Sequence, residues 1–253
     1  GFLELASRPL TARTTATSCS TLQGHEVRVR TGPVYITDAI SGQRAYTPPD
    51  NRRDLERLLD NWTVFINDHG DLDPLVSMAV AHYQFEAIHP YTDGNGRTGR
   101  IVNVLMLCAS GLLQLPVVYP SRTIIETKSE YYRLLRAVSA EGAWEEWVLY
   151  MVNCLAASAE RTLALVESIS DLEAALASDV REVLGMANRD LVLLLMEQPY
   201  VRMRDVVERC GVTRQTVARW LKPLVERGVL SDVRVGREVI FINEPLMALL
   251  RAS

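Results

Sequence analysis

His89-Pro90-Tyr91-Thr92-Asp93-Gly94-Asn95-Gly96-Arg97-Thr98-Gly99-Arg100 sets an imidazole, a carboxylate, a glycine-flanked amide and two guanidiniums within twelve residues. A nucleotide phosphate site needs each of these. Imidazole, with an unperturbed pKa of about 6.5, is suited to take a proton near neutrality, so His89 is the candidate base. Asp93 can hold a magnesium ion, which prefers carboxylate and phosphate oxygens to an all-protein cage. Gly94, Asn95 and Gly96 can adopt positive φ at low cost and turn their N–H groups inward as an anion-binding nest. Arg97 and Arg100 project from one side of a helix as planar forks that match phosphate geometry.

The flanks bring these groups together. Upstream, Asp73-Pro74 reads as an N-cap and a first-turn proline, with Leu75, Met78, Ala79, His82, Tyr83 and Phe85 following at helical spacing. Downstream, Ile101, Val102, Leu105, Met106 and Ala109 predict a second helix that stops at Gly111. The motif is then a tight loop feeding the N-terminus of that helix, where unpaired N–H groups and a partial positive charge favour phosphate. Singly, each residue is ordinary loop chemistry. A plain helix connection needs neither a buried His nor two arginines on the next turn.

The segment resembles the signature of the Fic (filamentation induced by cyclic AMP) family, His-x-Phe-x-Asp/Glu-Gly-Asn-Gly-Arg-x-x-Arg, with Tyr91 where Phe is usual. Tyr91 keeps the ring and adds a hydroxyl that must find a partner or water. Ala81-His82-Tyr83-Gln84-Phe85-Glu86-Ala87-Ile88, Glu130-Tyr131-Tyr132-Arg133-Leu134-Leu135 and Gly142-Ala143-Trp144-Glu145-Glu146-Trp147 are similar to the same branch, so the resemblance covers about residues 30 to 160.

The resemblance implies a mainly α fold, a Fic helical core with a β-hairpin flap. It implies transfer of AMP from ATP to a Ser, Thr or Tyr hydroxyl of a target protein, with pyrophosphate release. On that reading His89 deprotonates the hydroxyl, and Asp93 positions Mg2+ between the α- and β-phosphates. Gly94, Asn95 and Gly96 hold phosphate oxygens with Thr98 beside them, and Arg97 and Arg100 steady the β- and γ-phosphates. Tyr131 and Tyr132 lie by the adenine, and Ser139 replaces a polar base contact. Relatives with Lys for the second motif glycine bind the nucleotide reversed; Gly96 argues against that here.

Val34-Tyr35-Ile36-Thr37 and Arg44-Ala45-Tyr46-Thr47 are short alternating runs around Asp38 to Gln43, and read as a hairpin closed by Pro48-Pro49. The resemblance makes it a flap whose Ala45, Tyr46 and Thr47 add strand hydrogen bonds to the target segment.

Composition agrees without deciding. The 253 residues fit one large or two unequal domains, and 48% apolar content sustains a core. A formal charge of −4 excludes a bulk electrostatic binder of nucleic acid or anionic membrane. Cys19, Cys108, Cys154 and Cys210 lack C-x-x-C spacing and read as free thiols of a reducing cytoplasm. The start, Gly1-Phe2-Leu3-Glu4-Leu5, is no signal peptide, and Asn103, Ser110, Gly111, Gln114 and Pro116 interrupt the most apolar stretch, so no membrane span is expected.

Trp144 to Leu184 is free of glycine and carries apolar positions at spacings of three and four, which predicts helix. So long a rod is unusual, and a break is expected near Ser168-Ile169-Ser170-Asp171. We place a core at 1–165, a linking helix at 166–189 and a small domain at 190–253.

In the tail, Val201 to Arg237 holds nine Lys or Arg against four acids, a balance of +5 that leaves the rest of the chain at −9. Helices at Asp190 to Glu197 and Met203 to Arg209, a turn at 210–212, a third helix capped by Thr213 and ended by Gly228, and strands at Val229-Leu230 and Val235 to Ile242 look like a winged helix-turn-helix. Arg214, Gln215, Thr216 and Arg219 are its outward residues, able to contact DNA or a partner, and Pro223 should bend the helix end.

Many relatives carry an inhibitory helix, Ser/Thr-x-x-x-Glu-Gly/Asn, whose Glu reaches the second motif arginine. No such pattern precedes the flap, and Ser178 with Glu182, followed by Val183, is a weak candidate. The expectation is a chain without its inhibitory region and with Arg100 unblocked. Besides AMP transfer, two alternatives stay open: a nucleotide-sensing DNA-binding regulator, and removal of AMP from modified protein. A homodimer is left open as well.

Overall fold

The computed structural model describes residues 9–37, 44–236 and 238–252. The chain divides at 160/161 into two units.

The first unit is helical. Helix α1, Ala12–Gln23, starts from a capping box in which Thr11 and Thr14 exchange side-chain and backbone bonds, and ends at Gly24 in the left-handed region. A short hairpin follows, β1 (Ile36–Thr37) paired antiparallel with β2 (Arg44–Tyr46). These strands are shorter than the predicted runs, and Asp38 to Gln43 lie outside the described residues. Helix α2, Arg52–Asn67, is capped by Asn51 and buries Leu55, Leu59, Trp62 and Ile66, one stripe at helical spacing.

Helix α3, Pro74–Ile88, begins as expected, with Asp73 accepting from Leu75 N–H and proline in the first turn. It is buried almost all round, because α2, α4 (Asn95–Ala109) and α6 (Lys128–Glu141) surround it in the core clusters. Two tryptophans brace it. Trp62 Nε1 donates to Ala81 O at 2.9 Å and Trp147 Nε1 to Ala79 O at 2.8 Å. The short α5, Ser121–Glu126, precedes α6.

Helix α7, Trp144–Leu184, runs 41 residues without the predicted break. The reason lies in the residues expected to cap: Ser168 Oγ donates to Ala164 O at 2.8 Å inside the helix, so its hydroxyl is spent on the preceding turn rather than on a new one.

In the second unit, Leu176 and Val180 of α7 join the core of α8 (Arg189–Glu197), β3 (Tyr200–Arg202), α9 (Met203–Cys210) and α10 (Arg214–Glu226). Strands β4 (Ser231–Val235) and β5 (Glu238–Ile242) complete a sheet of order β3-β5-β4, and α11 (Glu244–Ala252) follows. The hairpin's first strand starts two residues later than predicted, because Val229 and Leu230 N–H groups fold back onto Leu224 O and close the helix end. Helix α10 passes through Pro223, and Arg227 N–H donates to Pro223 O at 3.0 Å. Elements α1, α2, α5, β3 and α11 had no counterpart in the sequence reading.

Candidate active site

His89 ends α3. It sits at φ 49°, the one non-glycine residue at positive φ among the described residues, and its N–H donates to Phe85 O at 2.9 Å. Its Nδ1 lies 3.3 Å from Glu86 O. A carbonyl only accepts, so Nδ1 carries the proton and Nε2 is the nitrogen left to take one. Burial lowers the imidazole's affinity for a proton, and Arg30 works in the same direction against the Glu86 carbonyl and Asp93.

Arg30, which the sequence reading missed, holds this turn. Its own N–H donates to Pro90 O at 2.9 Å. Its guanidinium donates from Nε to His89 O at 2.8 Å, from Nη1 to Gly32 O at 2.8 Å, and from Nη2 to Ile88 O and to Pro49 O beyond the hairpin. It is 3% exposed, and it satisfies the last carbonyls of α3, where the helix dipole favours a cation.

Past the turn, only Gly94 takes positive φ (83°); Asn95 and Gly96 are already in α4. The expected nest is therefore corrected to a helix N-terminus. The first helical bond is Thr98 N–H to Gly94 O, so the amides of Asn95, Gly96 and Arg97 are the unpaired donors. The Asn95 side chain exchanges bonds with Tyr91, accepting from its N–H at 2.9 Å and donating to its C=O at 2.7 Å, and so braces the loop. A Cβ at Gly96 would sit 3.1 Å from Arg100 Nη1 and 3.5 Å from Glu86 Oε1. A side chain there would press on the end of the Arg100 fork. Thr98 is fully buried.

Asp93 is exposed. Its Oδ1 accepts from Gly94 N–H at 2.6 Å and its Oδ2 from Gln23 Nε2 at 2.9 Å; the Gln23 bond is the main reason its carboxyl is held below the ordinary range. Arg97 reaches Asp93 at 3.6 Å, whereas Arg100 Nε donates to Ser121 Oγ at 3.0 Å, a second residue the sequence reading did not single out. The two forks thus have different anchors.

These groups line an open pocket shared by His89, Asp93, Gly96, Arg97, Arg100 and Tyr132. A smaller pocket adjoins it through Glu86 and Tyr132, and is walled by Tyr46, Tyr83 and Ser139. Tyr83 Oη and Ser139 Oγ lie 2.7 Å apart. Tyr131 is 4% exposed, with its hydroxyl 2.9 Å from His82 Nε2. Burial drives His82 down to about 3, so that ring is neutral. Glu86 is buried, with Oε1 lacking a partner, and burial pushes it up to about 7 against the pull of Arg100.

Of the hairpin residues, Tyr46 is half-buried and Thr47 exposed; the side chain of Ala45 lies outside the described residues. Helix α1 lies on the motif loop through Gln23, through Cys19 Sγ to Asp93 O at 3.4 Å, and through Thr15 Oγ1 to Tyr91 Oη at 3.0 Å. No acid occurs in α1. Glu182 is ion-paired with Arg227 at 2.6 Å in the second unit.

Residues 15–107 match the Fic/DOC family, and residues 175–246 match the C-terminal domain of SoFic-like protein adenylyltransferases. The chain is 34% identical over 148 residues to protein adenylyltransferase fic-1 of Caenorhabditis elegans, which is 57% of this chain and 26% of that protein. It is 31% identical over 144 residues to protein adenylyltransferase Fic of Drosophila grimshawi, 56% of this chain and 27% of that one. The match thus spans about a quarter of the length of these relatives. The fold is shared with a Fic family protein of Desulfovibrio desulfuricans G20, with a TM-score of 0.57 and 20% identity over 95% of this chain and 72% of the other.

Proposed function

We propose, from the premise that this chain belongs to the Fic/DOC family, that it moves AMP from ATP to a serine, threonine or tyrosine hydroxyl of a target protein. The observation that carries this is one cavity wall holding His89, with Nε2 left as the proton acceptor, beside the unpaired first-turn amides of α4 and the Arg100 fork. His89 Nε2 takes the hydroxyl proton, the hydroxyl oxygen bonds to the α-phosphorus, and the α–β bridging bond breaks to release pyrophosphate.

The amides of Asn95, Gly96 and Arg97 receive phosphate oxygens, and Arg97 and Arg100 meet the departing charge. Tyr132, Tyr83 and Ser139 wall the base pocket. An exposed single carboxylate fits magnesium that is also held by phosphate, so Asp93 would be its ligand, and the ion would neutralise phosphate charge when bound. Strand β2 adds backbone pairing to the target segment. Four cysteines without a disulfide suit a reducing cytoplasm, and no helix among the described residues is long and apolar enough to cross a membrane.

The test is incubation with magnesium and ATP labelled at either the α- or the γ-phosphorus, in the presence of cell lysate. Relative to lysate without the protein, the chain should add protein-bound label from the α position and none from the γ position, and His89→Ala should add neither. Transfer of γ label would sink the reading.

A further inference from the structure

The nine cations of residues 201–237 fall into two groups once their partners are seen. Arg202 and Arg204 reach Glu238 at 3.1 and 3.8 Å, and Arg209 reaches Glu197 at 2.5 Å. Lys222 reaches Glu226 at 3.6 Å and Arg227 reaches Glu182 at 2.6 Å. Arg214 and Arg219 on α10 and Arg234 on β4 are exposed and have no ion pair among the described residues. Arg237 lies outside the described residues. Carboxylates therefore neutralise the flanks of the unit and leave α10 with three cations against Glu226, and Arg234 unpaired beside Asp232 on β4.

Helix α10 presents two faces. Val217, Leu221 and Leu224 enter the core, while Arg214, Gln215, Arg219 and Lys222 point to solvent. A protein partner would want an apolar or aromatic anchor there. No large hydrophobic residue is exposed between Met203 and Leu230. What this face does offer, free guanidiniums at the start of a helix, is what phosphate oxygens and guanine edges take. The sharp turn at Gly211 (φ 65°), the Thr213 cap and the β4–β5 hairpin set α9 and α10 as a helix-turn-helix with a wing. A helix fits the major groove of B-form DNA and not the deep, narrow one of RNA.

We propose that the second unit binds double-stranded DNA, with α10 in the major groove, Arg214 and Arg219 on the phosphates that border it, and Arg234 of the wing on the backbone. This function is additional to AMP transfer and does not depend on it.

The test is fluorescence anisotropy of the full chain with a random-sequence DNA duplex of about two helical turns. Three phosphate contacts give a slope of log affinity against log salt of about −2.7, roughly a 40-fold loss for a fourfold rise in salt. Arg214→Gln/Arg219→Gln/Arg234→Gln should flatten that slope. Arg204→Gln/Arg209→Gln/Arg227→Gln removes the same charge from the paired set and should leave it steep. Arg219→Gln alone should reduce the slope by about 0.9, which keeps the test independent of how a triple variant folds. The proposal fails if duplex is not bound at low salt, if both triple variants weaken binding equally, or if single-stranded DNA or double-stranded RNA is preferred.

Discussion

The two units treat buried polarity in opposite ways. Thr15, Arg30, Ser77, His82, Glu86, Asn95, Thr98, Asn103 and Ser158 are buried in the first unit; the second buries Asn243, which donates to Leu195 O and accepts from Leu246 N–H. Several of the first unit's polar atoms have no partner: Glu86 Oε1, Thr98 Oγ1, His82 Nδ1 and both side-chain atoms of Asn103. These lie on α3 and α4, the helices that flank the motif, while one further orphan, His69 Nδ1, lies in the loop before α3. In the second unit the orphan is Arg202 Nε, which still has Glu238 at 3.1 Å. A buried orphan costs about 1–3 kcal/mol, so a fold keeps such groups where a reaction uses them. A surface that only binds can leave its polar groups in water at little cost. On the proposed function, the first unit is a reaction chamber and the second a contact face.

The largest expected effect is on the base. His89→Ala should lower AMP transfer by roughly 10³-fold, within the range for removal of a general base. Because burial lowers the His89 pKa, the active neutral imidazole persists below pH 6.5 and is lost only as pH falls further. The acid limb of kcat/KM should therefore lie below 6.5. A limb above that value would mean that another group sets the rate.

Next comes Glu86, whose buried carboxyl is pushed from 4.5 up to about 7. The folded state binds this proton more tightly than the unfolded chain, so its contribution is complete below about pH 4.5 and is lost as pH rises through about 7. The loss approaches roughly 3 kcal/mol. Glu86→Gln removes the titration, so its melting temperature should gain on the parent from pH 5 to pH 8. Parallel pH profiles for the two proteins would show that Glu86 does not ionise in this window.

Arg30 tests whether the chamber needs its clamp. The guanidinium ties the left-handed turn at His89 to the carbonyl of Pro49, and a misplacement near 1 Å costs about 10²-fold in rate. Arg30→Gln should reduce kcat by that order while MgATP binding, read by calorimetry, changes less than about threefold. Arg30→Lys keeps the charge but not the fork and should recover only part of the rate. Equal losses of binding and kcat would make Arg30 a general support of the fold.

These residues mark where the sequence stops being readable. That His89, Asp93 and Arg100 share one pocket was legible because they lie within one loop and one helical turn, where local spacing sets their neighbours. Arg30 reaches His89 across 59 positions and Gln23 reaches Asp93 across 70, and no period or cap signal announces such pairs. Helix α1 escaped notice because Ala12–Gln23 is rich in Thr and Ser, poor helix formers, and shows only Thr15 and Cys19 to the core. The continuous α7 was misread for a related reason: a serine looks like a cap in sequence, and only its bond to the preceding turn decides otherwise. Free and paired arginines in the tail look alike until their carboxylates are located.

The smallest effect separates structural from functional polarity inside the first unit. Tyr91 stands where phenylalanine was expected, and its hydroxyl meets Thr15 Oγ1 at 3.0 Å in the core. Thr15 Oγ1 also donates to Ala12 O at 2.8 Å, so removing the tyrosine hydroxyl strands no donor. Tyr91→Phe should then cost less than about 1 kcal/mol in denaturant unfolding and leave AMP transfer unchanged, since deleting a hydrogen-bonding group without leaving a buried orphan is nearly neutral. A loss beyond about 2 kcal/mol would mean the Tyr91–Thr15 contact holds α1 against the motif loop. In that case the division between satisfied scaffold polarity and orphaned site polarity would have to be drawn through α1 rather than along α3 and α4.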